Sequence, residues 1–93
     1  MSVSVRVPTQ LRTLTNGAGE VSVEGASVGE VLKALDASYP GFAGRLFDDG
    51  GGLRRFVNVF LGDEDVRFLQ GLETPVTGGQ TLSIVPAVAG GAG

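Results

Sequence analysis

The sequence contains no cysteine, no histidine and no tryptophan, and the first two absences each close off a class of chemistry. Without Cys there can be no disulfide, no thiolate nucleophile and no Cys-based metal site. Without His the chain lacks the commonest general base and the commonest transition-metal ligand. Basic residues are also few: seven Lys and Arg stand against ten Asp and Glu, giving a net charge of −3 and a pI near 4.7. A nucleic-acid partner would call for a basic face, so the balance argues against one. No long apolar run occurs, and Met1-Ser2-Val3-Ser4-Val5-Arg6-Val7 alternates where a signal peptide would carry an apolar stretch. These features predict a soluble cytoplasmic protein with no signal peptide and no membrane span.

Glycine is what the chain has in excess: 16 of 93 residues, more than twice the usual share. Ninety-three residues support one domain with a modest core. The surplus glycine falls in turns and in the final run, Pro86-Ala87-Val88-Ala89-Gly90-Gly91-Ala92-Gly93. Pro86 cannot donate a ladder hydrogen bond, so it should end or edge the strand before it. Residues 87–93 offer too little apolar surface to offset their ordering entropy, which divides the chain into a domain over 1–86 and a flexible tail over 87–93. Extended, that tail would reach roughly 20 Å, enough to place a terminal carboxylate inside another protein. Its glycines would let the backbone pass a constriction that larger residues would block. On composition alone, a frayed Gly-rich end is the simpler reading.

Val3, Val5 and Val7 alternate with Ser2, Ser4 and Arg6, the period-2 pattern of a half-buried strand closed by Pro8. Leu11 and Leu14 follow in a less regular stretch, then the turn cluster Asn16-Gly17-Ala18-Gly19. Glu20 to Glu24, with Val21 and Val23 on one face, should pair back on the first strand as a hairpin. Ser27-Val28-Gly29-Glu30 has the form of a capping box, the Ser accepting from the amide of Glu30 and the Glu reaching back to the cap amide. Val28, Val31, Leu32, Leu35 and Tyr39 make one apolar helical stripe, with Glu30, Lys33 and Asp36 toward water, and Pro40-Gly41 stops the helix.

Between Phe42 and Leu53 the pattern is weaker. Leu46 and Phe47 are expected under a loop, and Asp48-Asp49-Gly50-Gly51-Gly52 reads as a solvated turn. Its carboxylate pair lacks the further oxygen ligands of a Ca²⁺ loop, and no Gly-Lys-Ser/Thr follows its glycines, so neither a metal site nor a phosphate loop is expected. Phe56-Val57-Asn58-Val59-Phe60-Leu61 is the strongest strand signal. Val57, Val59 and Leu61 should face the core, leaving Phe56 and Phe60 beside Asn58 on the other side, either under a loop or as an exposed docking patch. Asp63, Glu64 and Asp65 form an acidic turn. With no second ligand cluster to suggest metal or catalysis, they read as a solvated turn suited to a basic partner. A short strand is expected at Val66-Arg67-Phe68, a brief turn around Pro75, a reversal at Gly78-Gly79, and a last strand with Leu82 and Ile84 inward.

The order strand, strand, helix, strand, short strand, strand predicts an α+β fold of the β-grasp, ubiquitin-like kind, with a mixed four- to five-stranded sheet on one main helix. The last strand fits best in the centre, parallel to the first. A ferredoxin-like fold would need a second substantial helix between Phe60 and Gln80.

The ending Ile84-Val85-Pro86-Ala87-Val88-Ala89-Gly90-Gly91 closely resembles that of the ubiquitin-like sulfur carriers, the MoaD and ThiS family. Val3-Ser4-Val5-Arg6-Val7-Pro8-Thr9-Gln10-Leu11-Arg12, Arg55-Phe56-Val57-Asn58-Val59-Phe60 and Asp63-Glu64-Asp65-Val66-Arg67-Phe68 extend the resemblance over nearly the whole chain, toward the CysO-type subgroup. The resemblance implies a carrier and not an enzyme. An E1-like adenylyltransferase/sulfurtransferase would use ATP and Mg²⁺ to activate the terminal carboxylate as an acyl adenylate, and sulfide or a persulfide would displace AMP to leave a thiocarboxylate. No cofactor would be bound by the carrier itself. By position, Gly91 would carry the sulfur, with Val88, Ala89 and Gly90 threading into the partner. Phe56, Phe60, Asp63, Glu64 and Asp65 would be candidates for docking.

Two features depart from the family pattern. The chain continues past Gly-Gly with Ala92-Gly93, which implies trimming after Gly91 by a JAMM-type metalloprotease, or activation at Gly93, or loss of function. Gly78-Gly79-Gln80 stands where relatives often carry Asp-Gly-Asp, which implies a less firmly held turn. The sulfur acceptor implied is a PLP-dependent, cysteine-synthase-like enzyme in cysteine biosynthesis. The alternatives are a MoaD-like role in molybdopterin synthesis, a ubiquitin-like protein modifier, and an interaction module with an inert tail.

Overall fold

Alternating valines build two opening strands, β1 (Ser2–Arg6) and β2 (Glu20–Glu24), paired antiparallel with Val3 opposite Val23 and Val5 opposite Val21. The computed structural model describes residues 2–55 and 57–86. Between these strands, Thr9–Thr15 forms a 3₁₀ helix that buries Leu11, and Asn16 closes it in the left-handed region. The sheet continues with β3 (Val57–Leu61), β4 (Glu64–Asp65) and β5 (Thr81–Pro86), in the order β2-β1-β5-β3-β4. β5 is parallel to β1 and antiparallel to β3, so the last described strand is also the central one. This is the expected β-grasp architecture, with five strands.

The main helix, α1 (Val28–Ser38), lies on one sheet face and buries Val28, Val31, Leu32 and Leu35, while Tyr39 is half-buried at its C-cap. They meet Val3, Val5, Val59, Leu82 and Ile84 in one core. The helix start differs from the expected box in one bond. Ser27 Oγ accepts from the Glu30 amide at 3.2 Å, but Glu30 Oε1 accepts from the Ala26 amide at 2.9 Å, one residue before the cap. The loop near Pro75 explains the room for this: Thr74 O accepts from the Val28 amide and Ala26 O from the Val76 amide, so this loop itself caps the helix.

A short helix not foreseen in the sequence, α2 (Phe42–Leu46), follows α1 and buries Phe42 and Leu46 completely; Phe47 is half-buried. Asp36 makes it possible. Expected to face water, its Oδ1 instead accepts from the amides of Gly41 and Ala43 at 3.2 and 2.8 Å, satisfying donors that a helix start leaves open. Val66–Phe68 is likewise a 3₁₀ turn and not a strand; the short strand is β4, just before it. Asp65 Oδ1 accepts from the Arg67 amide at 2.9 Å and so diverts the chain out of the sheet. No long helix occupies the segment between β3 and β5, as the β-grasp reading requires.

The Gly78-Gly79-Gln80 turn is well held. Gly79 takes φ +90°, the value glycine adopts without strain, and Gln80 Oε1 accepts from the Thr77 amide at 2.7 Å in place of an Asp side chain.

Candidate functional site

The expected site lies beyond β5, and the sheet holds that strand on both sides. Leu82 and Ile84 are buried, and β5 is flanked by β1 through Ser83 and by β3 from Leu82, opposite Leu61, to Pro86, opposite Val57. Pro86 has no amide to donate, and it is the last described residue of the strand. The last described residue therefore ends the central strand. Val88, Ala89, Gly90, Gly91, Gly93 and Phe56, all expected to act in tail chemistry or docking, lie outside the described residues, and so does the far side of the proposed boundary at residue 86.

The outer sheet face is polar with a few apolar residues. Register places Glu20, Arg6, Ser83, Phe60 and Asp65 in one row across all five strands. Phe60 is half-buried in that row, and Val85, opposite Asn58, is 43% exposed. The expected strand faces are correct: Val57 and Val59 are buried and Leu61 packs partly against the core. The three acidic residues do not act as one group. Asp63 and Glu64 are exposed on the turn, whereas the Asp65 carboxylate caps the 3₁₀ turn that follows. Among the described residues no group of three or more carboxylates could hold a metal ion.

Two residues here escaped the sequence reading. Phe68 is 84% exposed, the most open large apolar side chain described, because only Val66 of its turn points inward. The cue available was Asp65, a capping residue type directly before the apolar pair. Arg67 gave no cue. Its guanidinium donates to Asn58 Oδ1 at 2.7 Å, Val57 O at 2.7 Å and Arg54 O at 2.6 Å, clamping the chain that enters β3. Arg67→Ala is expected to destabilise the fold by about 1–2 kcal/mol, since it leaves several carbonyls without a charged donor in a part-exposed place. Hydrogen exchange at residues 57–59 should rise with it; unchanged exchange there would show that the clamp is dispensable.

The ThiS family matches the chain over residues 5–91. The chain belongs to that family. This ThiS-family chain is 47% identical over 93 residues to the sulfur carrier protein CysO of Mycobacterium tuberculosis strain H37Rv, covering 98% of this chain and 100% of that protein. It is 44% identical over 66 residues, 71% of each chain, to small archaeal modifier protein 3 of Haloferax volcanii. In three dimensions it matches the crystal structure of the Amycolatopsis orientalis BexX/CysO complex with a TM-score of 0.90 at 47% identity, covering 96% of this chain and 99% of the matched one. The resemblance seen in the sequence, the β-grasp fold and the assignment to small carriers and not catalysts all hold. Among the described residues no helix is long and apolar enough to cross a membrane.

Proposed function

We propose that the chain is a cytoplasmic sulfur carrier of the CysO type, whose terminal glycine carries sulfur as a thiocarboxylate for cysteine biosynthesis. The observation that carries this reading is the family match, which runs through the glycine pair and ends at residue 91. In this reading, the Gly91 carboxylate attacks the α-phosphorus of ATP on an E1-like enzyme, releasing pyrophosphate and forming an acyl adenylate. Sulfide then adds to the acyl carbon and AMP departs, leaving the thiocarboxylate; where a partner's persulfide attacks instead, the product is an acyl disulfide, and a second thiolate of that partner must cleave its S–S bond to release the thiocarboxylate and leave the partner as a disulfide. The nucleotide and its Mg²⁺ belong to the activating enzyme, which supplies the electrophilic phosphorus. A carrier without Cys or His suits this division of labour, because its only reacting group is a carboxylate. Gly90 and Ala89 clear the partner's channel, and a PLP-dependent, cysteine-synthase-like enzyme accepts the sulfur. A JAMM-type metalloprotease removes Ala92-Gly93.

Intact mass of the protein recovered from its native host tests the chemistry and the working terminus together. The expected species ends at Gly91 and carries sulfur in place of one carboxylate oxygen. A thiocarboxylate on a chain ending at Gly93 would sink the trimming step. The likeness to small archaeal modifier protein 3 favours one second reading, attachment of the terminal glycine to lysines of other proteins. Isopeptide-linked conjugates in extracts would support it.

A further inference from the structure

Asparagine followed by glycine can rearrange without an enzyme, and the chain has one such pair, Asn16-Gly17. Its other asparagine, Asn58, precedes Val59, whose β-branched side chain crowds its own amide nitrogen. Both of those residues lie in β3, and Arg67 holds Asn58 Oδ1 at 2.7 Å. Gly17 brings no such crowding. It is exposed, nothing stands near the place a Cβ would occupy, and Asn16 beside it is exposed as well. Access to the Asn16 side chain is therefore open, and whatever restrains this pair lies in the backbone.

In the rearrangement the Gly17 amide gives its proton to hydroxide and its nitrogen attacks Cγ of Asn16. The Cγ–Nδ2 bond breaks, ammonia leaves with a proton taken from water, and a five-membered succinimide remains. That ring holds the Asn16 Cβ and the Gly17 nitrogen eclipsed about the Cα–C bond. In the folded chain Asn16 is the C-cap of the 3₁₀ helix at φ 57° and ψ 34°, and at that ψ the nitrogen points almost opposite to Cβ. The nitrogen is also occupied, because the Gly17 amide donates to Arg12 O at 2.7 Å. The loop around it is tied at three more points. The Ala18 amide donates to Thr15 O at 3.1 Å, and the Val7 amide, just past β1, donates to Gly19 O at 2.9 Å. Thr15 Oγ1 donates to Ala18 O at 2.7 Å from a buried side chain. Asn16 can turn about ψ only when the cap bond breaks and the end of the helix opens.

We propose that Asn16 is a latent deamidation site locked by the C-cap of the 3₁₀ helix, and that it is modified only through local opening of residues 12–19. Water then hydrolyses the succinimide at one carbonyl to give aspartate or at the other to give isoaspartate, and either product adds one negative charge to a net of −3. Isoaspartate carries the main chain through Cβ, which lengthens the backbone by an atom and moves the Gly17 amide away from Arg12 O. A chain modified in this way cannot rebuild the cap, so a passing opening becomes permanent. The loop that is lost joins β1 to β2, the edge strand of the sheet.

The test incubates the full chain at mildly alkaline pH, in buffer and in concentrated guanidinium chloride, and follows by peptide mass the replacement of the Asn16 amino group by hydroxyl. Conversion in buffer should be at least about tenfold slower than in denaturant, since it needs an opening that the fold disfavours. Hydrogen exchange of the Gly17 amide reports the same opening, so its protection factor should match that rate ratio within about threefold. Thr15→Val removes the hydroxyl at similar side-chain volume. It should speed conversion in buffer about fivefold, the effect of one net hydrogen bond, and leave the rate in denaturant unchanged. Asn16→Gly keeps a residue suited to the left-handed cap and should show no mass change in this peptide. Equal rates in buffer and denaturant, a Gly17 protection factor far from the rate ratio, or a wild-type rate in Thr15→Val would each overturn the lock. No conversion in denaturant, or a mass change that persists in Asn16→Gly, would overturn the site itself.

Discussion

A chain truncated after Ala89 is expected to fold as the full-length protein does and to form no thiocarboxylate. The buried core of the described residues ends at Ile84, and the last strand pairs with β3 as far as Pro86. Removing residues 90–93 therefore takes nothing from that core, and thermal unfolding should be unchanged. Activation should fall to zero and not merely weaken. The terminal carboxylate would sit two residues short of its working position, roughly 7 Å for extended chain, and a reaction that depends on in-line approach does not tolerate such a displacement. Thiocarboxylate formation by the truncated chain would show that the tail is inert and that the carrier reading is wrong. A companion chain ending at Gly91 separates the two candidate termini: if Gly91 is the working residue, this chain accepts sulfur without any protease.

The second large effect concerns stability. Phe42→Ala is expected to cost about 3–5 kcal/mol, the range for deleting a fully buried aromatic side chain and leaving a cavity. Phe42 is the largest fully buried residue described, seated on α2 in the same core as Leu35 and Leu46. For a domain of this size such a loss is a large share of total stability. Urea unfolding checks it, with a lower midpoint at unchanged slope. A cost below about 1 kcal/mol would mean that α2 collapses onto the gap and that its packing is not specific.

Phe42 also marks where sequence reading ended. Val3, Val5, Val21 and Val23 declared their strands because a two-residue period is written in neighbouring positions, and α1 declared itself through Ser27, Glu30 and its apolar stripe for the same local reason. The segment from Phe42 to Leu53 has no such period, since α2 is only five residues long and owes its start to Asp36. Val66-Arg67-Phe68 resembled a strand because two apolar residues flank a polar one. The bond from the Arg67 amide to Asp65 sends it elsewhere, leaving Phe68 in solvent.

The candidate site divides along the same line. By itself, the sequence determined the fold class, the family resemblance and the glycines proposed to carry sulfur, because each rests on residue type in consecutive positions. The central place of the last strand is already expected from the order of elements; only the tertiary structure decided that Arg67 clamps the entry to β3 and that Thr74 O accepts from the Val28 amide at the helix start. These residues lie far apart along the chain. What brings them together is the closing of the chain over a shared core, which no local pattern records.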